Sequence, residues 1–415
     1  MPEQPGDPAA AIDDAAHVLD ASVSPARPRY LSYVGSSGLA AGTVGDALAA
    51  TYDVNLAGHS AAAAILEDQA SRWTAQFVGH PHARGGFTSG GQISNLTAIL
   101  AARERSMPGA RVAGVLGRGG AIYCSSEAHQ SIVRAADVAG LGTGSVRRLP
   151  LDGQRRMAPE ALERALADDL AAGITPVAVV ATGGTTLTGA VDPIADLATI
   201  CEARGVWLHV DGAYGLPAAA TATGAPLFAG IDRVDSATLD AHKWLGVPKS
   251  CSVLLVQDEA VLEAAFGHEE SYLLHREGTA NPVDRTLEYS RPVRSLKVWL
   301  VFRVHGAAAL RSWIQRGIDN VRLLDALIAE DAAFEALHRP MLSTLCFRHR
   351  PAGVADLDAH NLRLAHAMQD DGRVHVAPAT IDGRLCLRVC FVNFRTTADD
   401  VRMTLDVARE VGAMV

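Results

Sequence analysis

Between residues 121 and 256 short apolar runs alternate with stretches of helical spacing, and that rhythm restricts the fold more than any other feature of the chain. The runs at 121–124, 176–181, 206–210, 236–239 and 252–256 are too short for buried helices and read as strands. Residues 129–139 and 194–203 carry the helical spacing between them. Strands alternating with helices build a mostly parallel sheet covered on both faces. The expected class is therefore α/β.

The flanks read differently. Residues 1–28 form a loose leader with a helical piece at 10–19, ended by Pro25 and Pro28. Residues 61–77 form an amphipathic helix with Ile65, Leu66, Trp73 and Phe77 on one face. A glycine cluster at 85–91 leads into a helix over 94–105, with Ser94 or Asn95 as its cap. Residues 257–290 are charged and turn-rich, which predicts a mobile surface loop. A long helix over 295–328 leads away from the sheet. A strand at 343–347, a helix at 359–369, a strand at 385–394 and a last helix at 398–411 make a small α+β unit. The expected division is a leader and packing segment at 1–50, a large domain at 51–290 and a small domain at 291–415.

Composition removes several classes. The net charge of −9 offers no basic footprint for nucleic acid or an anionic membrane surface. No run of 18 apolar residues occurs, and residues 1–20 lack the basic and apolar regions of a signal peptide. The six cysteines contain no CxxC pair, so reduced, cytoplasmic thiols are expected and no metal ligands are assigned. Cys386 and Cys390, four apart in a strand-like stretch, should share one face.

Four features carry chemistry. Lys243, in Asp240-Ala241-His242-Lys243-Trp244-Leu245, follows one apolar strand and precedes another. An amine pressed towards the interior there suits Schiff-base chemistry. Asp211, in His209-Val210-Asp211-Gly212-Ala213, ends a buried strand at the edge where α/β sheets bind ligands. A carboxylate there can pair with a protonated ring nitrogen. The glycines before the 94–105 helix allow backbone N–H groups to approach an anion. His129, after the 121–124 strand, can stack on a flat ring. Thr182, after the 176–181 strand, offers a further contact. Together these describe a pyridoxal phosphate site.

In these segments the sequence resembles the pyridoxal-phosphate-dependent amino acid decarboxylases of the aromatic, glutamate and diaminobutyrate group. The resemblance rests on residues 86–95 (GFTSGGQISN), 126–129 (SEAH), 181–192 (ATGGTTLTGAVD), 209–215 (HVDGAYG), 235–245 (DSATLDAHKWL), 294–306 (RSLKVWLVFRVHG) and 387–397 (LRVCFVNFRTT). It implies the aspartate-aminotransferase-like fold (pyridoxal phosphate fold type I), with a mostly parallel seven-stranded sheet and a smaller C-terminal α+β domain. It also implies a homodimer with the active site near the interface. Lys243 would form the Schiff base, Asp211 would pair with the ring nitrogen and His129 would stack on the ring. Gly90, Gly91 and Gln92 would hold the phosphate. Thr182 and Ala213 would touch the ring, and Asp240 and His242 would assist beside the lysine. Arg388 matches a position that meets a substrate carboxylate in glutamate decarboxylase. As the one charge in residues 385–394 it should have an anionic partner. Tyr33, Asn55 and His59 are further substrate-side candidates.

The implied reaction is decarboxylation of an L-α-amino acid to its amine, through an external aldimine and a quinonoid. Three departures from the family pattern stand out. The stretch 277–286, where many relatives carry a loop tyrosine that donates a proton, has none. Asp240 stands where many have asparagine, and the leader is short. Oxidative decarboxylation to an aldehyde, an aldol-type cleavage or carbon–carbon bond formation therefore remain open, as does a non-catalytic domain that binds the cofactor.

Overall fold

The computed structural model describes residues 1, 3–56, 61–268 and 282–415. Among the described residues eleven strands fall into two sheets: β1 (Arg84–Thr88), β2 (Gly120–Ser125), β3 (Val146–Leu149), β4 (Thr175–Thr182), β5 (Trp207–Asp211), β6 (Ser236–Leu239) and β7 (Ser252–Val256) in the first, then β8 (Phe334–Ala336), β9 (Thr344–His349), β10 (Ala377–Ile381) and β11 (Arg384–Cys390) in the second.

The first sheet has seven strands in the order β1-β7-β6-β5-β4-β2-β3. Strands β3, β2, β4, β5 and β6 are parallel, whereas β7 runs antiparallel to β6 and β1 antiparallel to β7. Helices on both faces explain why β5, β6 and β7 are buried at every position. Strand β1 is the surprise. Its Gly-Gly sequence reads as a turn, yet it pairs along its whole length with β7. A Cβ at Gly85, whose φ is +155°, would lie 1.9 Å from the Leu254 carbonyl oxygen, so only glycine permits this approach.

The second sheet is antiparallel, order β10-β11-β9-β8, with helices Leu357–Asp371 and Ala398–Gly412 against it. Helix Ser295–Ala329 joins the two units. Val298, Val301 and Ile314 enter the core of the large sheet, while Val321, Leu324 and Ile328 enter the core of the small one. The helix is not the single rod its periodicity suggests: Gly306 takes φ 73° and ψ 159° and breaks it. The segment before residue 33 is tied to the small sheet, since Leu31 N–H donates to the His375 carbonyl at 2.8 Å and Cys390 N–H to the Leu31 carbonyl at 3.0 Å.

Other expectations need correction. The 85–91 helix start lies at Gly91, and Ser94 and Asn95 are buried inside helix Gly91–Ser106 rather than capping it. Within 257–290, Ala260–Phe266 is a helix, because Leu262 and Phe266 lie four apart and both bury in one apolar cluster with Leu254 and Val256 of β7. Residues 269–281 of that stretch lie outside the described residues. Helix 129–139 begins at Ser131, leaving His129 in the preceding turn, and the 385–394 strand ends at Cys390. All six cysteines are free and buried. Among the described residues no helix is long and apolar enough to cross a membrane.

Candidate active site

The site is built on the carboxyl edge of the parallel strands. Register sets Thr182 at the end of β4 beside Asp211 at the end of β5, and Asp211 beside Thr238 of β6. Just past β6, Asp240 heads the short helix Ala241–Trp244. Ala213 links the two strand ends: its N–H donates to Asp211 Oδ1 at 3.2 Å, and its carbonyl accepts from Asp240 N–H at 3.0 Å.

Lys243 lies one helical turn after Asp240, and its Nζ stands 2.9 Å from Asp240 Oδ2. The sequence suggests an amine pressed into the apolar interior. Instead its side chain is 25 % exposed and ion-paired, because the i,i+3 spacing folds the amine back over the carboxylate. His242 Nδ1 is 2.8 Å from the Cys251 carbonyl oxygen. Burial pulls the His242 pKa below its ordinary value, against the opposing pull of Asp240.

Across from the lysine, Thr88-Ser89-Gly90-Gly91-Gln92 opens helix Gly91–Ser106. The first N–H groups of a helix have no partner within it and favour an anion. A Cβ at Gly91 would lie 3.0 Å from Ala213 Cβ and from both Asp240 oxygens, and one at Gly90 would lie 3.9 Å from His242 Cε1. The cradle therefore adjoins Ala213, Asp240 and His242.

Asp211 is buried, and its Oδ2 accepts from Asn95 Nδ2 at 2.9 Å. His129 is exposed in the turn after β2. Its Nδ1 accepts from Ser131 N–H at 3.2 Å, which places the neutral ring's proton on Nε2. Thr182 is fixed from behind by the buried Asp192, whose carboxylate accepts from the Thr182 and Met157 N–H groups at 2.7 and 2.6 Å. Burial pushes the Asp192 pKa up to about 6.

Arg388 projects from β11 and is nearly buried. Its guanidinium donates to the Thr186 carbonyl at 2.7 Å and to the Ser32 carbonyl. Among the described residues it makes no ion pair with a carboxylate. Tyr33 follows Ser32 and is exposed. Asn55 donates to Ser290 Oγ at 3.1 Å and accepts from Arg291 N–H at 3.2 Å. His59 lies outside the described residues.

Two residues were missed as parts of the site. Asn95 reads in the sequence as a candidate helix cap and His209 as the start of the segment containing Asp211; both lie in segments that carry the family resemblance, and that is the signal available for them.

Among the described residues, the buried Thr182 Oγ1 and Asp240 Oδ1 at the edge have no hydrogen-bond partner. Such orphans are costly unless a bound group satisfies them. With the glycine cradle and the lysine amine alongside, they fit a flat, phosphorylated aldehyde. This fold with these groups on its rim defines a class, the fold type I enzymes that carry pyridoxal phosphate. Within that class the model of the pyridoxal-dependent decarboxylase conserved domain matches residues 1–350, and the chain belongs to this family. Its cofactor is pyridoxal phosphate, and the family's reaction is the decarboxylation of amino acids. The chain is 32 % identical over 386 residues to an aromatic-L-amino-acid decarboxylase of Bacillus atrophaeus, covering 90 % of this chain and 79 % of the relative. It is 29 % identical over 384 residues to phenylacetaldehyde synthase of Arabidopsis thaliana, covering 87 % and 77 %. Among solved structures, mouse CSAD in its apo form superposes with a TM-score of 0.93 at 27 % identity, covering 99 % of this chain and 90 % of that one.

Proposed function

We propose that the chain decarboxylates an L-α-amino acid to its amine, with Lys243 as the residue that holds the cofactor. The observation that carries this reading is the placement of the Lys243 amine, the Gly90–Gly91 cradle and the Asp211 carboxylate around Ala213. Bound pyridoxal phosphate supplies an electron sink that makes a bond to the substrate's α-carbon breakable.

The residues divide the remaining work. Gly90, Gly91 and Gln92 offer N–H groups to the phosphate at the start of helix Gly91–Ser106. Asp211 would hold a proton on the ring nitrogen. Thr182 and Ala213 would bear on the ring, and Thr182 brings a hydroxyl in need of a partner. His129, whose Nδ1 accepts from Ser131 N–H, would stack on the ring. Asp240 receives the Lys243 ammonium when the amine is free, and His242 supports the same turn. Arg388 offers the guanidinium face not used by the Thr186 and Ser32 carbonyls to a substrate carboxylate. Tyr33, Asn55 and His59 are assigned to the substrate side. The working unit is read as a cytoplasmic homodimer with its site near the interface.

A second reading has one observation in its favour. Residues 277–286 contain no tyrosine. If no other side chain delivers a proton to the α-carbon, oxygen would take the two electrons and water would release the nitrogen, so that amino acid, oxygen and water would give aldehyde, carbon dioxide, ammonia and hydrogen peroxide. Incubating the holoenzyme with a panel of amino acids while measuring carbon dioxide, amine and peroxide separates the two. Equal carbon dioxide and amine without peroxide supports the decarboxylase. Carbon dioxide with peroxide and no amine supports the aldehyde-forming enzyme.

A further inference from the structure

The protons in the hydrogen-bond network behind Asp211 can be assigned one by one. Trp207 Nε1–H can only donate, so Ser236 Oγ accepts it at 2.9 Å. A carboxylate can only accept, so the side-chain nitrogen of Asn95, not its oxygen, faces Asp211 Oδ2 at 2.9 Å. The second Asn95 N–H goes to Ser131 Oγ at 2.9 Å. Asn95 Oδ1 is then left facing His209 Nε2 at 3.0 Å, so that nitrogen carries the ring proton. His209 Nδ1 is consequently an acceptor, and the Ser236 hydroxyl at 2.8 Å gives it its proton. Every bond points the same way, from Trp207 through Ser236, His209 and Asn95 to Asp211.

We propose that His209 and Asn95 are positioning residues that orient an N–H onto Asp211 and so keep the cofactor's ring nitrogen protonated. The inference rests on the reading that Asp211 pairs with that nitrogen. His209 works because it is locked in one tautomer. It is fully buried, and burial pushes its pKa down to about 4, so it stays neutral at working pH. Its Nε2–H stops the Asn95 amide from turning over. A reversed amide would set an oxygen against an Asp211 oxygen, an acceptor facing an acceptor, and draw the shared proton off the ring. Ser131, the other Asn95 partner, opens the helix that follows His129, so one amide ties together the edge and face elements of the ring site.

The test uses holoenzyme reconstituted with cofactor labelled with nitrogen-15 in the ring and reads that nitrogen's NMR shift. Asp211→Asn sets the scale for an unprotonated ring. His209→Leu and Asn95→Ala should each move the resonance at least about half of the way from wild type to Asp211→Asn, whereas His209→Gln, which keeps a donor, should stay near wild type. Should His209→Leu fail to fold, Asn95→Ala decides. If Asp211→Asn moves the signal but the His209 and Asn95 variants do not, the positioning role is overturned while the Asp211 pairing stands. If Asp211→Asn itself leaves the signal at the wild-type position, the pairing fails and the proposal fails with it.

Discussion

Lys243 Nζ lies 2.9 Å from Asp240 Oδ2, and the carboxylate is almost wholly buried whereas the lysine side chain is 25 % exposed. Removing the amine leaves a buried charge without its cation. Lys243→Ala should therefore destabilise the apoprotein by about 1–2 kcal/mol, less than for a fully buried pair because solvent reaches the lysine. Adding Asp240→Asn should recover most of that loss. Urea unfolding of the apoproteins measures both, and equal stability of wild type and Lys243→Ala would show that the pair contributes nothing.

A second ion pair braces the edge of the large sheet. Arg291 donates to both Glu67 oxygens at 2.8 and 2.6 Å, with side chains only 3 % and 9 % exposed. Glu67→Ala should cost about 3–5 kcal/mol by stranding the guanidinium, while Glu67→Leu with Arg291→Met should cost much less. Chemical denaturation of the single and double variants checks this.

Acid stability is set by opposing groups. His209 has an ordinary pKa of 6.5 and a folded value of about 4, so between those values the unfolded chain binds the extra proton and stability is lost as pH falls. Asp192 has an ordinary value of 3.8 and a folded value of about 6. Between pH 6 and 4 the folded state binds the extra proton there, and stability is gained as pH falls. The two effects oppose each other in that window. Asp192→Asn should make the protein lose stability faster on acidification, and His209→Gln more slowly, each by about 1.4 kcal/mol per pH unit relative to wild type. Unfolding free energies at steps from pH 7 to 4 give the slopes. Parallel curves for all three proteins would refute the assignment.

The Arg388 guanidinium, bound to two carbonyls and to no carboxylate among the described residues, is suited to a substrate anion. Arg388→Ala should weaken binding of a substrate or an unreactive analogue by about 2–5 kcal/mol, with a smaller change in cofactor affinity. Calorimetric titration checks it; unchanged affinity would assign Arg388 to holding Ser32 and Thr186 alone.

The parts of the site legible in the sequence are those set by local pattern. Lys243 stands out because an apolar strand precedes its short polar turn, and Asp211 because it ends a buried strand. The glycine cradle is visible for the same reason. Asn95 was hidden because its role depends on Asp211, 116 residues away, and no local periodicity reports such a contact. Strand β1 was hidden because Gly85 is chosen for backbone approach to Leu254, a property of tertiary packing. The break at Gly306 lies within a strong helical pattern, where a single glycine carries little weight against its neighbours. Arg388 was noticed as an isolated charge, but its carbonyl partners come from residues 32 and 186, which only the assembled fold brings together.

Every role assigned to the site requires a covalent bond between Lys243 and the cofactor. Borohydride reduction of the holoprotein followed by peptide mass spectrometry reads that bond, with Lys243→Arg as the comparison because it keeps the charge opposite Asp240. One cofactor adduct is expected, on the peptide containing Lys243, and none in the variant. An adduct on another residue of the wild type, or one retained by Lys243→Arg, would contradict it.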